Sequence, residues 1–461
     1  MQDTVSVIIL AAGLGTRMRS KLAKVLHRAG GACLLEHVVR AARAVAAPDH
    51  ITAVVGHQAD RVQAEVAGHG IGFVLQTEQK GTGHALRMCD GQPGLNAGRV
   101  VVLYGDCPLL SAGTIQRLLR AHEQAGQAAT VITTHLAEPT GYGRIVRDGA
   151  GRVAAIVEEK AANAEQKQLT EINSGIYCFE ASLLWPYLAK VTPNPASGEY
   201  YLTDVVELMR ADGRHTVPLV IEDAGELLGI NTKVELAEVD RIFRGRKARQ
   251  LMLAGVTIEQ PETVTVDLDV EAGPDCVLES FVQLRGRTRI GEGAVIGACS
   301  ILTNAVIGAD VKVFPFTTVS DSELRDGAEV GPYARLRMGA VVEEGAHIGN
   351  FVELKKTNLG RGSKAMHLAY LGDSEIGSKV NIGAGTITCN YDGQKKHKTR
   401  IGDGAFVGSN STLVAPAEIG AGSYVAAGSV VTKPVPEDAL GIGRGHQINK
   451  EGWAAARRAK K

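Results

Sequence analysis

Residues 401–430 read IGDGAF, VGSNST, LVAPAE, IGAGSY and VAAGSV, and Val431 opens a further unit. Ile401, Val407, Leu413, Ile419, Val425 and Val431 are all aliphatic and fall six residues apart. Gly402, Gly408, Gly420 and Ala426 follow four of them. A short fixed period of this kind is the signature of a parallel β-helix, in which each strand cannot bury its face alone and stacking builds one continuous core. One aliphatic per hexad points inward, and the small residue beside it is expected to let the chain turn a tight corner. A β-sandwich with Gly-rich turns is the competing reading, but sandwich strands keep no six-residue phase.

The beat extends upstream with slips. It runs through Ile290, Ile296, Ile307, Val313 and Val319, then Leu324, Val330, Leu336, Val342, Ile348 and Leu354, then Ile376 and Ile382. It fails over TCNYDGQKKHKTR, residues 388–400, which reads as a polar, basic loop thrown out of the helix. Loops on rigid scaffolds tend to carry function.

Composition agrees. Glycine makes up 55 of the 461 residues, well above the average usage of about 7%. Aromatic residues are 4%, as suits a core of stacked Val and Ile rather than rings. Lys+Arg and Asp+Glu are 50 each, and that balance argues against nucleic acid as the main partner. Seven cysteines occur without metal-ligand spacing, which points to reduced thiols and a cytoplasmic protein. Neither a signal peptide nor a membrane span of ~18 apolar residues is expected.

The first half is of another kind. VSVIIL (residues 5–10) is a continuous apolar run, as in a strand buried on both faces. Apolar runs recur at ITAVVG, RVVVLYGD and TVITTH, with helical patterns such as SAGTIQRLLRAHEQA between them. That alternation predicts an α/β, Rossmann-like domain with a mainly parallel sheet and ligands beyond the strands' carboxyl ends. LAAGLGTRM lies at such an end. Gly13 and Gly15 there let backbone N–H groups approach phosphate oxygens, and Arg17 adds positive charge. Residues 232–254 carry Val234, Val239, Ile242 and Phe243 at helical spacing, a linker helix that Gly245 should weaken. The expected division is therefore 1–231, a linker 232–254, and a β-helix domain 255–461.

LAAGLGTRM resembles the sugar-nucleotide pyrophosphorylases. Further motifs match in order: KVLH at Lys24, QTEQKGTGHA, LYGDCPL, GYGRI, IVEEK, EINSGIY and GINTK. The resemblance implies that Leu10, Ala11, Ala12, Gly13, Lys24, Gln76, Gly81, Thr82, Tyr104, Gly105 and Asp106 bind a uridine nucleotide. Gly143, Glu158, Asn173 and Asn231 extend the site toward the sugar. It also implies Mg²⁺ on Asp106 and Asn231, with Arg17 and Lys24 catalytic. The family usually has proline where this chain has Ala23. No protein nucleophile is required, because the attacking phosphate oxygen is already ionised; positioning and charge neutralisation suffice.

The second half resembles the hexapeptide-repeat acyltransferases, left-handed β-helices that commonly form trimers. The run ARLRMGA…GNFVELKKTNLGRGSKAMHLAYLGD is similar to one family, the bifunctional N-acetylglucosamine-1-phosphate uridylyltransferases / glucosamine-1-phosphate acetyltransferases, and the similarity covers nearly the whole chain. It implies His367 as general base, with Arg337, Lys355, Tyr370 and Asn381 around glucosamine phosphate. Ala384, Asn390, Tyr391, Ser409, Ala427 and Arg444 would hold acetyl-CoA, with Arg444 placed to reach a neighbouring subunit. Met338 stands where the family commonly has proline. Lys395, Lys396 and Lys398 read as a solvated loop face. The implied enzyme uses acetyl-CoA and UTP as co-substrates and feeds UDP-N-acetylglucosamine and cell-wall synthesis. The rival reading is a monofunctional nucleotidyltransferase whose β-helix serves assembly alone.

Overall fold

The computed structural model describes residues 4–195 and 197–460. The chain divides into two compact units, Met1–Arg241 and Ile242–Lys461. The helix Lys233–Leu253 carries the chain from one to the next without a break at Gly245, and Val234 on it is exposed. Among the described residues no helix is long and apolar enough to cross a membrane.

The first unit is built on one nine-stranded sheet. Val5–Ala11 lies between Ile51–Val55 and Arg99–Tyr104, parallel to both, and is buried along nearly its whole length. Thr216–Val220 likewise pairs parallel with Ala129–His135 in the other half of the sheet. Glu171–Glu180 inserts antiparallel between Arg99–Tyr104 and Ala129–His135, a reversal inside a sheet that is otherwise mainly parallel. The alternation of strands and helices does not report a reversal of this kind, because an isolated apolar run carries no direction. Apolar side chains cover both faces of the sheet and form two separate cores.

The second unit is a parallel β-helix with three faces of eleven, ten and nine strands. The first face runs from Thr257–Ile258 to Leu440–Gly441, the second from Thr265–Val266 to Val430–Val431, and the third from Glu271–Ala272 to Ala417–Ile419. Each strand pairs with the one a full coil later, as in Val319↔Leu336↔Leu354↔Leu371. The six aliphatics from Ile401 to Val431 are all buried, two on each face. The coils begin well before Ile290, where Ala272 takes an aliphatic's place and hides the beat.

The glycine that follows three of these aliphatics has a different cause from the one expected. Gly402, Gly408 and Gly420 do not take left-handed backbone angles. A Cβ at Gly402 would stand 2.5 Å from the Ala421 nitrogen, and one at Gly420 would stand 2.4 Å from that of Glu437. The next coil's backbone, not the turn, excludes a side chain. The left-handed corners are filled largely by other residues, including Phe316, Tyr333, Phe351 and Leu368 (φ between 48° and 60°) between the first and second faces. Phe316, Tyr333 and Phe351 stack there with ring centroids 5.0 and 5.3 Å apart. Residues 390–398 leave the helix between the strands Ile387–Cys389 and Thr399–Ile401. The excursion is shaped by Asp392, whose Oδ1 accepts from the N–H groups of Gln394 and Lys395.

Candidate active sites

In the first unit, Val5–Ala11 delivers Leu10, Ala11, Ala12 and the Gly13–Gly15 turn to the rim of a cavity of about 350 Å³. Gly15 adopts φ 62°, and a Cβ on it would lie 2.6 Å from that of Lys24. This close approach lets the Lys24 stem cross the turn, so that its ammonium enters the cavity. Ala23 has φ −55°, the angle a proline would impose. Its N–H is nevertheless used, donating to Gln58 Oε1 at 3.2 Å.

Opposite, Gly105 donates to the Leu10 carbonyl at 2.9 Å and packs within 3.1–3.3 Å of Ala11, Leu35 and Val25, measured from an added Cβ. That fixes Asp106. The Asp106 carbonyl accepts from Ile230 N–H at 2.9 Å, which brings Asn231 alongside. Asn231 immediately precedes a capping box. Glu235 accepts from Thr232 N–H at 2.9 Å, and the Thr232 hydroxyl accepts from Glu235 N–H at 3.2 Å. Lys24 Nζ pairs with Asp106 and donates to Asn231 Oδ1 at 2.7 Å. Arg17 donates to the same oxygen at 2.8 Å. Two cations and two oxygen donors therefore meet under a glycine turn. Cys107, beside them, is 3% exposed, and burial together with the Asp106 charge pushes its thiol well above the usual range.

Gly81, Thr82 and Tyr104 line this cavity and also a second one of about 300 Å³, which adds Gly143, Glu158 and Asn173. Gln76 lines the first and donates to the Gly81 carbonyl at 3.3 Å. Gly81 needs its φ of 97°, and a Cβ there would meet the Tyr200 carbonyl at 2.6 Å. Asn173 Oδ1 accepts from Tyr177 OH and from Gly175 N–H, both at 2.9 Å. Burial raises the Glu158 carboxyl above its ordinary value, partly offset by the Thr203 hydroxyl donating at 3.4 Å.

In the second unit the predicted residues gather along the corner between the first and second faces and the coils beyond it. Arg337 pairs in register with Lys355, one coil on. Lys355 is 7% exposed, and Arg337 is aimed by Glu353, which accepts from its Nε at 2.7 Å. Tyr370 follows Glu353 in the same ladder. An added Cβ on Gly372 would lie 2.5 Å from the Tyr370 hydroxyl and 2.7 Å from Asn390 Nδ2, so both groups converge over that glycine. Asn390 is buried and donates to Asp373, whereas Tyr391 is exposed on the loop. His367 ends the exposed first-face strand Lys364–His367, and Asn381 stands in register with Lys364 on the next coil. Ala384, Ser409 and Ala427 climb successive coils: Ala384 accepts from Asn410 N–H at 2.7 Å and Ser409 from Gly428 N–H at 2.8 Å.

Arg444 is exposed and donates to the Ala427 carbonyl of its own chain at 2.8 Å. Lys396 is exposed, as its reading as a solvated loop face expects, and contact with the Lys355 side chain and its like charge lowers its affinity for a proton. Sequence spacing carries no signal for that encounter, since it depends on how the 390–398 loop folds back. Met338 has φ 59°, which proline cannot adopt, and its sulfur contacts Arg337 Nη1 at 3.3 Å.

Two family descriptions match the chain. A MobA-like NTP transferase domain covers residues 7–171, and bacterial transferase hexapeptide repeats cover residues 398–433. The chain is 54% identical to a bifunctional protein GlmU of Solibacter usitatus over 99% of its own length and 98% of the relative's. It is 49% identical to that of Koribacter versatilis, over 98% and 97% of the two chains. It is 46% identical to that of Streptococcus agalactiae, over 97% of each. Likeness of this degree over both units at once establishes that the chain belongs to the GlmU family of bifunctional uridylyltransferase/acetyltransferase enzymes.

Proposed function

We propose that the second unit acetylates glucosamine 1-phosphate with acetyl-CoA and that the first couples the product to UTP. The observation that carries this reading is the presence, in each unit, of a paired-cation site: Arg17 with Lys24, and Arg337 with Lys355. A β-helix used for assembly alone needs no second pair of cations beside a surface histidine.

For acetyl transfer, Arg337 and Lys355 hold the sugar phosphate, with Tyr370 and Asn381 completing its pocket. His367 takes a proton from the sugar amine as the nitrogen attacks the thioester carbonyl. The C–S bond then breaks and CoA leaves. Imidazole suits the task because a ring nitrogen can offer its lone pair to the amine's proton. Ala384, Asn390, Tyr391, Ser409, Ala427 and Arg444 are assigned to acetyl-CoA.

For uridylyl transfer, a phosphate oxygen of N-acetylglucosamine 1-phosphate attacks the α-phosphorus of UTP, and pyrophosphate leaves in line. Gly13 and Gly15 present N–H groups to the triphosphate, and Arg17 and Lys24 neutralise it. Gln76, Gly81 and Thr82 take the base; Gly143, Glu158 and Asn173 take the sugar. Asp106 and Asn231 fit Mg²⁺: both are hard oxygen donors already gathered round a cation, the Lys24 ammonium, and Gly229 leaves room beside the carboxylate. When bound there, the ion supplies charge neutralisation at the phosphates. We assign the functional domains to residues 1–231 and 255–461 with a helical linker 232–254, and the assembly to a cytoplasmic homotrimer formed through the β-helix.

The test is a pair of variants read by two assays. His367→Ala should lose CoA release from acetyl-CoA and glucosamine 1-phosphate while keeping pyrophosphate release. Asp106→Ala should do the reverse. Loss of both activities in either variant would refute two independent sites.

A further inference from the structure

His367 is not alone at the end of its strand. Asn350 ends the first-face strand one coil below and pairs with His367 in register. Its Oδ1 lies 2.8 Å from His367 Nδ1. Among the described residues it is the side chain that bonds the ring.

Resting on the reading of His367 as the base, we propose that Asn350 is a positioning residue that holds the proton on Nδ1 and so leaves the Nε2 lone pair facing the amine. An amide oxygen can only accept, so the bonded ring nitrogen must be the one carrying hydrogen. Imidazole has two nitrogens, and the partner of one fixes which of them is free to act. When Nε2 takes the amine's proton, Nδ1–H keeps its acceptor, and the ring need not turn.

The coil is built to bring the two together. Gly349 has no side chain, and a Cβ there would fall 1.9 Å from the Met366 carbonyl oxygen. The absence of a side chain at Gly349 thus lets the two coils come together at the residues just before Asn350 and His367. The Asn350 carbonyl accepts from Leu368 N–H at 3.0 Å, so backbone bonding already secures the corner. The Asn350 side chain is not needed for that and is spent on the ring.

The charged and titratable groups on the elements around the ring come from neighbouring strands and its own. Lys364 lies on its own strand, His347 on the strand below, and Arg337, Glu353, Lys355 and Tyr370 on the adjoining second face. The strand above, Asn381–Ile382, brings none. His347 faces Glu329 at 3.3 Å, and Glu353 is engaged by Arg337.

The experiment is the pH profile of kcat/KM for acetyl transfer in Asn350→Ala and Asn350→Asp, with the circular dichroism melting curve of each variant as the control for folding. Asn350→Ala should lower acetyl transfer about tenfold to a hundredfold, part of what a positioned base contributes. Asn350→Asp keeps an acceptor but adds charge that favours the imidazolium. Its acidic limb should therefore move up by about half a unit to one unit, with the alkaline plateau largely retained. An unmoved limb in Asn350→Asp, or full activity in Asn350→Ala, would overturn the proposal. Acetyl transfer surviving in His367→Ala would instead remove the base itself, a failure these Asn350 variants cannot mimic.

Discussion

Replacing Gly349 with alanine should separate the two activities without touching any group assigned to a substrate. The added methyl would sit 1.9 Å from the Met366 oxygen, 2.5 Å from its carbonyl carbon and 2.7 Å from its Cα. Ordinary contact begins near 3.4 Å, so the neighbouring coil must withdraw by about 1.5 Å. The obstacle is backbone, and no rotamer change relieves it. A withdrawal of that size is incompatible with the 3.0 Å bond from Leu368 N–H to the Asn350 carbonyl. Overpacking costs about 1–3 kcal/mol, and one lost hydrogen bond adds about 1 kcal/mol. The β-helix should therefore melt several degrees lower, at about 2–4 °C per kcal/mol for a unit of this size. Acetyl transfer should fall further than stability suggests. Met366 precedes His367, and a displacement of about 1 Å at a reacting group costs on the order of a hundredfold. The assay is CoA release at a temperature where circular dichroism shows the variant folded, beside pyrophosphate release from UTP. A Gly349→Ala protein that acetylates within threefold of the parent would refute the claim that coil spacing sets the base's position.

Three more outcomes follow from the first unit. Gly175→Ala, at φ 80°, would place a Cβ 2.5 Å from the Tyr104 ring; uridylyl transfer should drop at least tenfold with KM for the sugar phosphate raised, and acetyl transfer should not change. The Glu158 carboxyl is raised by burial above its ordinary 4.5, so its contribution to stability is complete below that value and is lost as pH rises through the folded value. Glu158→Gln should accordingly melt higher than the parent at pH 7.5, with the difference vanishing by pH 4, while sugar binding weakens; equal melting temperatures at both pH values would refute the burial cost. Cys107 is buried and its thiol is held protonated, so brief iodoacetamide treatment of the folded protein should leave pyrophosphate release intact, and rapid inactivation traced to Cys107 by peptide mapping would contradict this.

The sequence read well where one residue type answers one physical demand. Buried aliphatics at Ile401, Val407 and Leu413 mark three faces because only their period satisfies a three-sided core. The Gly13–Gly15 turn, Asp106 and Asn231 were legible as motifs, and the structure lines one cavity with them. What could not be read depends on chain crossings distant in sequence. The reversal at Glu171–Glu180, the Lys24–Asp106 pair, the encounter of Lys396 with Lys355 and the Arg444 bond to Ala427 are of this kind. Asn350 was missed for a simpler reason: an asparagine between a hexad and an aromatic corner has no pattern of its own until the coils are stacked.

The register of the β-helix also acts as a ruler with integer marks. Arg337 and Lys355 are one mark apart, as are Asn350 and His367, and each mark is one strand spacing, about 4.8 Å. Coils of 17 or 18 residues leave that spacing unchanged, as Val319, Leu336 and Leu354 show. A single residue added within a strand, by contrast, would turn every later inward side chain outward. Length can therefore change in only two ways, by whole coils or by excursions at corners, as residues 390–398 do. The distances that suit one phosphorylated amine are in this sense counted, not tuned, and a lineage could lengthen its loops freely while the substrate's measure stayed fixed.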